Sequence, residues 1–405
     1  MRVAIASRIF DPEPSAASFR LAALASGFAR SGDRVRVLTV QPVKQLREPG
    51  GAATERQVPY RVTRFPVLRD RSGYVRGYLQ YLSFDIPLFF RILFGPKQDA
   101  IIVEPPPTTV LFATLAASIR RTPVFAYAAD VWSDASASTG APSLVVNVVR
   151  RMERFAWNRA RGVYSVNAGV TERVRQIAPR AVVETVGNGI DTAVFTPDAG
   201  DGAADNNGAG STVRHPYAIY TGTASEWQGA EIFVRAIAQL QDSGTPLKLV
   251  FLGQGTALPA LKLLAEERGA DVEFHDPVPP AQAAAWQRGA AVSVASIKPG
   301  AGYDFAYPTK IFAAWACGTP VVYAGPGPAR EVLAATPHLG AGVDFEPGVV
   351  AAALKDIACE RENSRPAIAA WAQANVSLAG VADRATSFTH ARLREAHGSS
   401  ARGRQ

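Results

Sequence analysis

Cysteine is nearly absent: Cys317 and Cys359 are the only two in 405 residues. Two thiols do not make a disulfide framework, so this chain must hold itself together by apolar cores. Long apolar runs are missing as well. No uninterrupted stretch reaches the roughly 20 residues that a bilayer-spanning helix needs. The opening Met1-Arg2-Val3-Ala4-Ile5-Ala6 is a short apolar strand running into a loop, without the long apolar region and small-residue cleavage site of a secretory leader. A cytoplasmic protein is the expectation. Residues 1–20 contain no Gly-x-Gly-x-x-Gly after the first strand, which argues against a nicotinamide dehydrogenase. No Asp-x-Asp pair is present, so no metal and no cofactor is expected. The formal net charge is +8, but the basic residues are scattered and form no nucleic-acid module. The excess therefore serves solubility, or attraction to phosphates or to an anionic membrane face; no nucleic acid is expected as a partner.

What the chain does have is alternation. Arg2–Ser7 reads as a strand, Ala17–Arg30 as a helix and Arg34–Val40 as the next strand. Ala100–Val103, Pro123–Ala128, Gly162–Val166 and Val182–Val186 follow, apolar or β-branched, mostly with helical segments between them. Such alternation predicts an α/β fold with a parallel sheet covered by helices. Asp198–Arg214 has few core-forming side chains and reads as a linker or flexible loop. The pattern then restarts at Tyr217–Thr221 and continues through Leu247–Leu252, Val272–His275, Ala291–Ala295 and Pro320–Tyr323, again with helices between. The expected domains are 1–198, a linker at 199–214, and 215–366. A helical segment follows at 367–397, returning to the first domain, and then a tail at 398–405. Paired α/β domains place ligand sites at the carboxyl ends of their strands.

Three segments carry more than fold. The first is Tyr307-Pro308-Thr309-Lys310-Ile311-Phe312-Ala313-Ala314-Trp315-Ala316-Cys317-Gly318-Thr319-Pro320-Val321-Val322, in which Pro308 opens a helix and Gly318 closes it. The second pairs Glu104-Pro105-Pro106-Pro107 with Tyr127-Ala128-Ala129-Asp130-Val131-Trp132. Read alone, Asp130 also fits a helix-capping or turn aspartate. The third is Val186-Gly187-Asn188-Gly189-Ile190-Asp191 with Phe195 and Pro197, where Asn-Gly suits a turn with positive φ. Together these resemble the GT-B glycosyltransferases of family 4, particularly the bacterial polysaccharide-type branch of glycosyltransferase group 1, over nearly the whole chain to about residue 390.

The resemblance implies two Rossmann-like domains facing a central cleft. It implies sugar transfer from a nucleoside-diphosphate sugar, a co-substrate, to a glycan or lipid-linked acceptor, with retention of configuration. It places Asp130 and Lys310 at the catalytic centre. Gly222, Thr223, Lys298, Asp304, Tyr307, Pro308, Thr309 and Glu331 fall on the donor. The loop Ser15, Ala16, Ala17, Ser18 falls on the acceptor side. Lys310, Lys298, the Gly222–Thr223 backbone and a helix dipole would stabilise charge on the departing diphosphate. The chain departs from the pattern in two places. Thr223 and Gln228 stand where many members carry Arg and Lys, and Ala313 stands where a helix Glu holds the ribose. These departures leave a second reading open, a non-catalytic GT-B-like partner or scaffold in glycan assembly.

Tyr74–Lys97 is separate from these motifs. It is rich in Tyr, Leu and Phe, and carries Arg71 just before it and Arg76, Arg91 and Lys97 within it. An ordinary buried helix pair has this composition, and so does a helix lying on an anionic membrane as a peripheral contact.

Overall fold

The computed structural model describes residues 1–13, 15–43, 58–70, 73, 75, 77–198, 216–245, 247–359 and 364–402. The expected linker at 199–214, together with Arg71, Tyr74, Arg76 and residues 403–405 of the tail, lies outside the described residues. Contacts divide the chain into two units, Met1–Asn188 with Leu378–Gln405, and Gly189–Ser377. The boundary expected at 198 lies past the first of these divisions.

The first unit is built on a parallel sheet of seven strands: β1 Arg2–Ala6, β2 Arg34–Val40, β3 Arg61–Phe65, β4 Ala100–Val103, β5 Val124–Ala128, β6 Gly162–Ser165 and β7 Val183–Thr185. Their order is β3-β2-β1-β4-β5-β6-β7. Helices α1 Ala16–Arg30, α2 Tyr78–Phe94, α3 Pro107–Ile119, α4 Trp132–Ser138, α5 Ser143–Arg159 and α6 Ala168–Ile177 connect them. Period-2 geometry sends successive side chains to opposite faces, and both faces are dry. Along β1, Ala4 and Ala6 join a core with Leu88, Val110 and Trp157. Val3 and Ile5 join another with Leu21, Phe28 and Val381.

The second unit repeats the design with six parallel strands: β8 Tyr217–Thr223, β9 Lys248–Gln254, β10 Val272–His275, β11 Val292–Ser296, β12 Val321–Ala324 and β13 Gly340–Val343. The order is β10-β9-β8-β11-β12-β13. Its helices are α7 Glu231–Asp242, α8 Leu258–Arg268, α9 Pro280–Gly289, α10 Lys310–Ala316, α11 Pro328–Ala335, α12 Pro347–Cys359 and α13 Arg365–Asn375. Along β8, Ala218 and Tyr220 enter one core and Tyr217 and Ile219 the other. Each sheet reverses its winding once, between β1 and β4 and between β8 and β11. The crevice at the carboxyl ends beside such a reversal is where open α/β sheets bind ligands, because the flanking connections diverge there.

Several details differ from the sequence reading. The helix expected over 367–397 is two helices, α13 and α14 (Leu378–Arg402), broken at Val376–Ser377. At the break Ile190 donates its N–H to the Val376 carbonyl and bridges Ser377. α14 lies along α1 in the first unit, where Ala382 packs on Gly27. The positive φ expected at Asn188-Gly189 belongs instead to Gly187, at +87°. Helix α10 starts at Lys310 with Thr309 as its N-cap, so Pro308 precedes the helix. Strands β3 and β13 had no strand signal in sequence. β3 is half-exposed, with Arg61 and Arg64 in it, and β13 is Gly-Ala-Gly-Val.

Candidate functional site

In the second unit the site residues gather at the carboxyl ends of β8, β11 and β12. β8 ends at Gly222 and Thr223, both exposed. Gly222 has φ +86°, and a Cβ built there would meet nothing within 4 Å. This strand end is therefore open to close approach from outside. Lys310, the first residue of α10, reaches back to it. Its Nζ donates to the Thr223 carbonyl at 3.2 Å and stands 3.4 Å from the centroid of the Tyr220 ring. Among the described residues no carboxylate pairs with Lys310. Loss of water around its ammonium pulls the pKa well below the ordinary lysine value. A half-buried cation with only a carbonyl and a ring for company lacks an anion.

Gln228 occupies one of the two positions where the resemblance expects a cation. The structure uses it internally. Its Oε1 accepts from the Tyr220 hydroxyl at 3.0 Å and the Ser225 N–H at 3.1 Å, closing a capping box around a short 3-10 turn. The buried amide thus holds in place the ring over which Lys310 stands.

Lys298 follows β11. Its N–H donates to the Trp227 carbonyl at 3.0 Å, and its exposed Nζ lies 3.5 Å from Glu231 Oε1. Trp227 stacks on Tyr303 with centroids 4.5 Å apart, a pairing that sequence reasoning missed because the two are 76 positions apart in sequence and neither sits in a motif. Asp304 is exposed and accepts from the Gly300 N–H at 3.1 Å, bracing its own loop. That loop backs onto Gly327, where a Cβ would collide with the Asp304 carbonyl. The Glu331 N–H donates to the Gly327 carbonyl at 3.4 Å, while the Glu331 side chain is exposed in the first turn of α11. Tyr307 packs edge-on against Phe312, and burial raises its pKa. Pro308 is buried. Thr309 makes no side-chain capping bond. Ala313 is 6% exposed.

In the first unit, Asp130 lies two residues past the end of β5 and is exposed. Its Oδ1 accepts the Val131 N–H at 2.9 Å. Protein packed around the carboxyl raises its pKa, and the like charge of Asp134 adds to this. The expected loop at Ser15–Ser18 is a helix start instead. Ser15 is the N-cap of α1, its hydroxyl oxygen accepting the Ser18 N–H at 3.0 Å, and Ala16, Ala17 and Ser18 form the first turn. Ser18 is buried. Beside the winding reversal, at the end of β4, sits a pair the motif contained without revealing. Glu104 Oε1 accepts from Arg20 at 2.5 Å with both side chains 5% exposed, and Arg20 lies over the Tyr127 ring. Burial raises the Glu104 pKa and Arg20 opposes it. Among the described residues, no three His, Cys, Asp or Glu side chains converge as a metal-holding group.

Two Rossmann-like units of this kind, each with its polar residues at the carboxyl ends beside a winding reversal, define the GT-B class of fold. Residues 16–189 match the family model described as glycosyl transferase 4-like domain, and residues 215–358 match that of glycosyl transferases group 1. The chain belongs to this glycosyltransferase family. Among solved structures it is similar to the Anabaena protein HepE in complex with UDP, at 15% identity and TM-score 0.69 over 96% of this chain and 100% of that one. It is also similar to sucrose-phosphate synthase from Thermosynechococcus elongatus, at 15% identity and TM-score 0.70 over 98% and 99%. WaaG, described as a glycosyltransferase involved in lipopolysaccharide biosynthesis, matches at 15% and 0.66 over 95% and 99%. No curated protein matches the chain.

Proposed function

We propose that the protein transfers a sugar from a nucleoside-diphosphate sugar to a hydroxyl of a glycan or lipid-linked acceptor, with retention of configuration and without a metal or other cofactor. The observation that carries this reading is Lys310, a half-buried ammonium with no carboxylate partner among the described residues, beside the open end of β8. In the transfer the bond from the anomeric carbon to a diphosphate oxygen breaks, and its electron pair leaves with the diphosphate. A new bond forms to the acceptor oxygen, whose proton passes to the departing diphosphate. Negative charge grows on the leaving group, so a cation already held at that position gains most in the transition state. On this reading Lys310 exchanges the Thr223 carbonyl for a phosphate oxygen, and Gly222 leaves room for it. Lys298 supplies a second, solvated charge. Asp304, Tyr307, Pro308, Thr309 and Glu331 shape the donor side, and Asp130 orients the acceptor hydroxyl or the sugar. HepE, solved with UDP-glucose, makes a uridine donor the first to test.

A second reading, a non-catalytic partner in glycan assembly, draws on two positions. Gln228 is consumed by internal hydrogen bonds, and Ala313 offers no carboxylate to a ribose. A panel of UDP-, GDP-, ADP- and dTDP-sugars separates the two readings. The transferase should release nucleoside diphosphate from at least one, and that nucleotide should raise the melting temperature by mass action. Neither release nor a thermal shift with any of them would leave the scaffold reading standing.

A further inference from the structure

The donor reading leaves α2 unused. Its buried side carries Phe84, Leu88 and Ile92, at intervals of four residues. Its other side is apolar too. Leu79 is 70% exposed, Ile86 43%, Phe90 51% and Phe94 77%. These four are seven, four and four residues apart, which sets them on one helical stripe opposite the buried one. The Phe90 and Phe94 rings stack with an interplanar angle of 4°. A helix apolar on both sides needs a second apolar medium, and among the described residues none covers this stripe.

Beside the C-terminal half of the helix lies a pocket of about 570 Å³, within the range of small-molecule sites. Phe65 forms part of its wall, and Arg36, Arg91, Lys97 and Arg120 also line it. Arg91 lies over the Phe65 ring, and its Nη1 is buried without a hydrogen-bond partner. Burial and the like charge of Arg36 bring the Arg91 pKa down to about 10. Arg36 is bonded to the Thr63 hydroxyl, and Arg120 to the carbonyls of Leu93 and Gly95. Among the described residues no carboxylate pairs with any of the four. The nearby Asp99 is taken by Arg2.

We infer that this pocket takes the phosphate headgroup of an anionic phospholipid while Leu79, Ile86, Phe90 and Phe94 enter the same leaflet, so that α2 docks the protein on a membrane surface. The unpaired cations and the apolar stripe adjoin, as a headgroup adjoins its acyl chains. A second copy of the chain fits less well. A twofold interface would set this basic pocket against the same region of a chain whose net charge is +8. The inference does not rest on the donor assignment.

The test is flotation of the full chain with phosphatidylcholine vesicles, with and without phosphatidylglycerol. Binding should require the anionic lipid and disappear in high salt, as the Debye length shrinks. Two exposed positions serve as variants, and melting curves check that both fold. Lys97→Gln should weaken binding about fivefold, the worth of one cation near an anionic surface. Phe94→Ser should weaken it further, and donor turnover in solution should be unchanged. Three results would overturn the inference: equal binding to neutral vesicles or none to either; a thermal shift from inorganic phosphate without vesicles, which marks a soluble-anion site; or self-association abolished by Phe94→Ser, which marks an interface between copies.

Discussion

Replacing Lys310 with Met keeps the apolar stem over Tyr220 and removes the ammonium, with its charge and its hydrogen bond to the Thr223 carbonyl. If the ammonium binds the donor diphosphate, the variant loses a charge-assisted contact of about 2–3 kcal/mol, or roughly 30- to 150-fold in kcat/KM. The loss should fall mainly on kcat, because the contact tightens as charge develops on the leaving group. Stability should move the other way. The lowered pKa means that the folded protein binds this proton less readily than the unfolded chain does. That penalty is fully present at low pH and fades as pH rises towards the ordinary lysine value of 10.5. Lys310→Met removes it, so the variant should melt higher than the wild type at neutral pH, by about 1 °C for each kcal/mol in a chain of 405 residues. Unchanged turnover and unchanged nucleotide affinity in Lys310→Met would refute the assignment, leaving the lysine a structural residue.

Two further outcomes concern the first unit. Glu104→Ala should destabilise by about 3–5 kcal/mol, because Arg20 is left charged and buried, whereas a double Met replacement of the pair should lie much closer to wild type in denaturant melts. Glu153 is buried, accepts the N–H groups of Trp132 and Ser133, and has its pKa pushed up to about 7, chiefly by desolvation. Its native pKa is raised, so its contribution is fully present below pH 4.5 and lost as pH rises through about 7. Stability should decline across that window by roughly 3 kcal/mol. Glu153→Gln should flatten the decline, and identical slopes for both proteins would count against it.

The alternation of apolar strands with amphipathic helices was legible because a parallel sheet buries both faces, and β1, β4, β5, β8 and β11 therefore read as short apolar runs. The edge strands β3 and β13 escaped notice for the opposite reason. One is half-exposed and carries arginines, the other is Gly-Ala-Gly-Val, and their pairing with β2 and β12 comes from register rather than composition. The Pro-Thr-Lys helix start and the strand-end Gly-Thr were visible as motifs. What they could not show was that Lys310 lands on the Thr223 carbonyl and the Tyr220 ring, since that contact joins residues 87 apart in sequence.

The role of Gln228 was likewise hidden. Its amide reads as a missing cation in sequence, and only the packed unit shows it bonded to Tyr220 and Ser225. The Ser15–Ser18 segment shows the same limit, since a Ser-Ala-Ala-Ser string serves equally as a binding loop or as a capped first turn until backbone angles are set. The sequence by itself determined the fold class, the family and the residues that end the strands, because period and strand-end chemistry are local properties. Which charges have partners, which are dry and which apolar stripe stays uncovered were decided only by tertiary structure, because burial and ion pairing depend on neighbours that the chain brings together from far along its length.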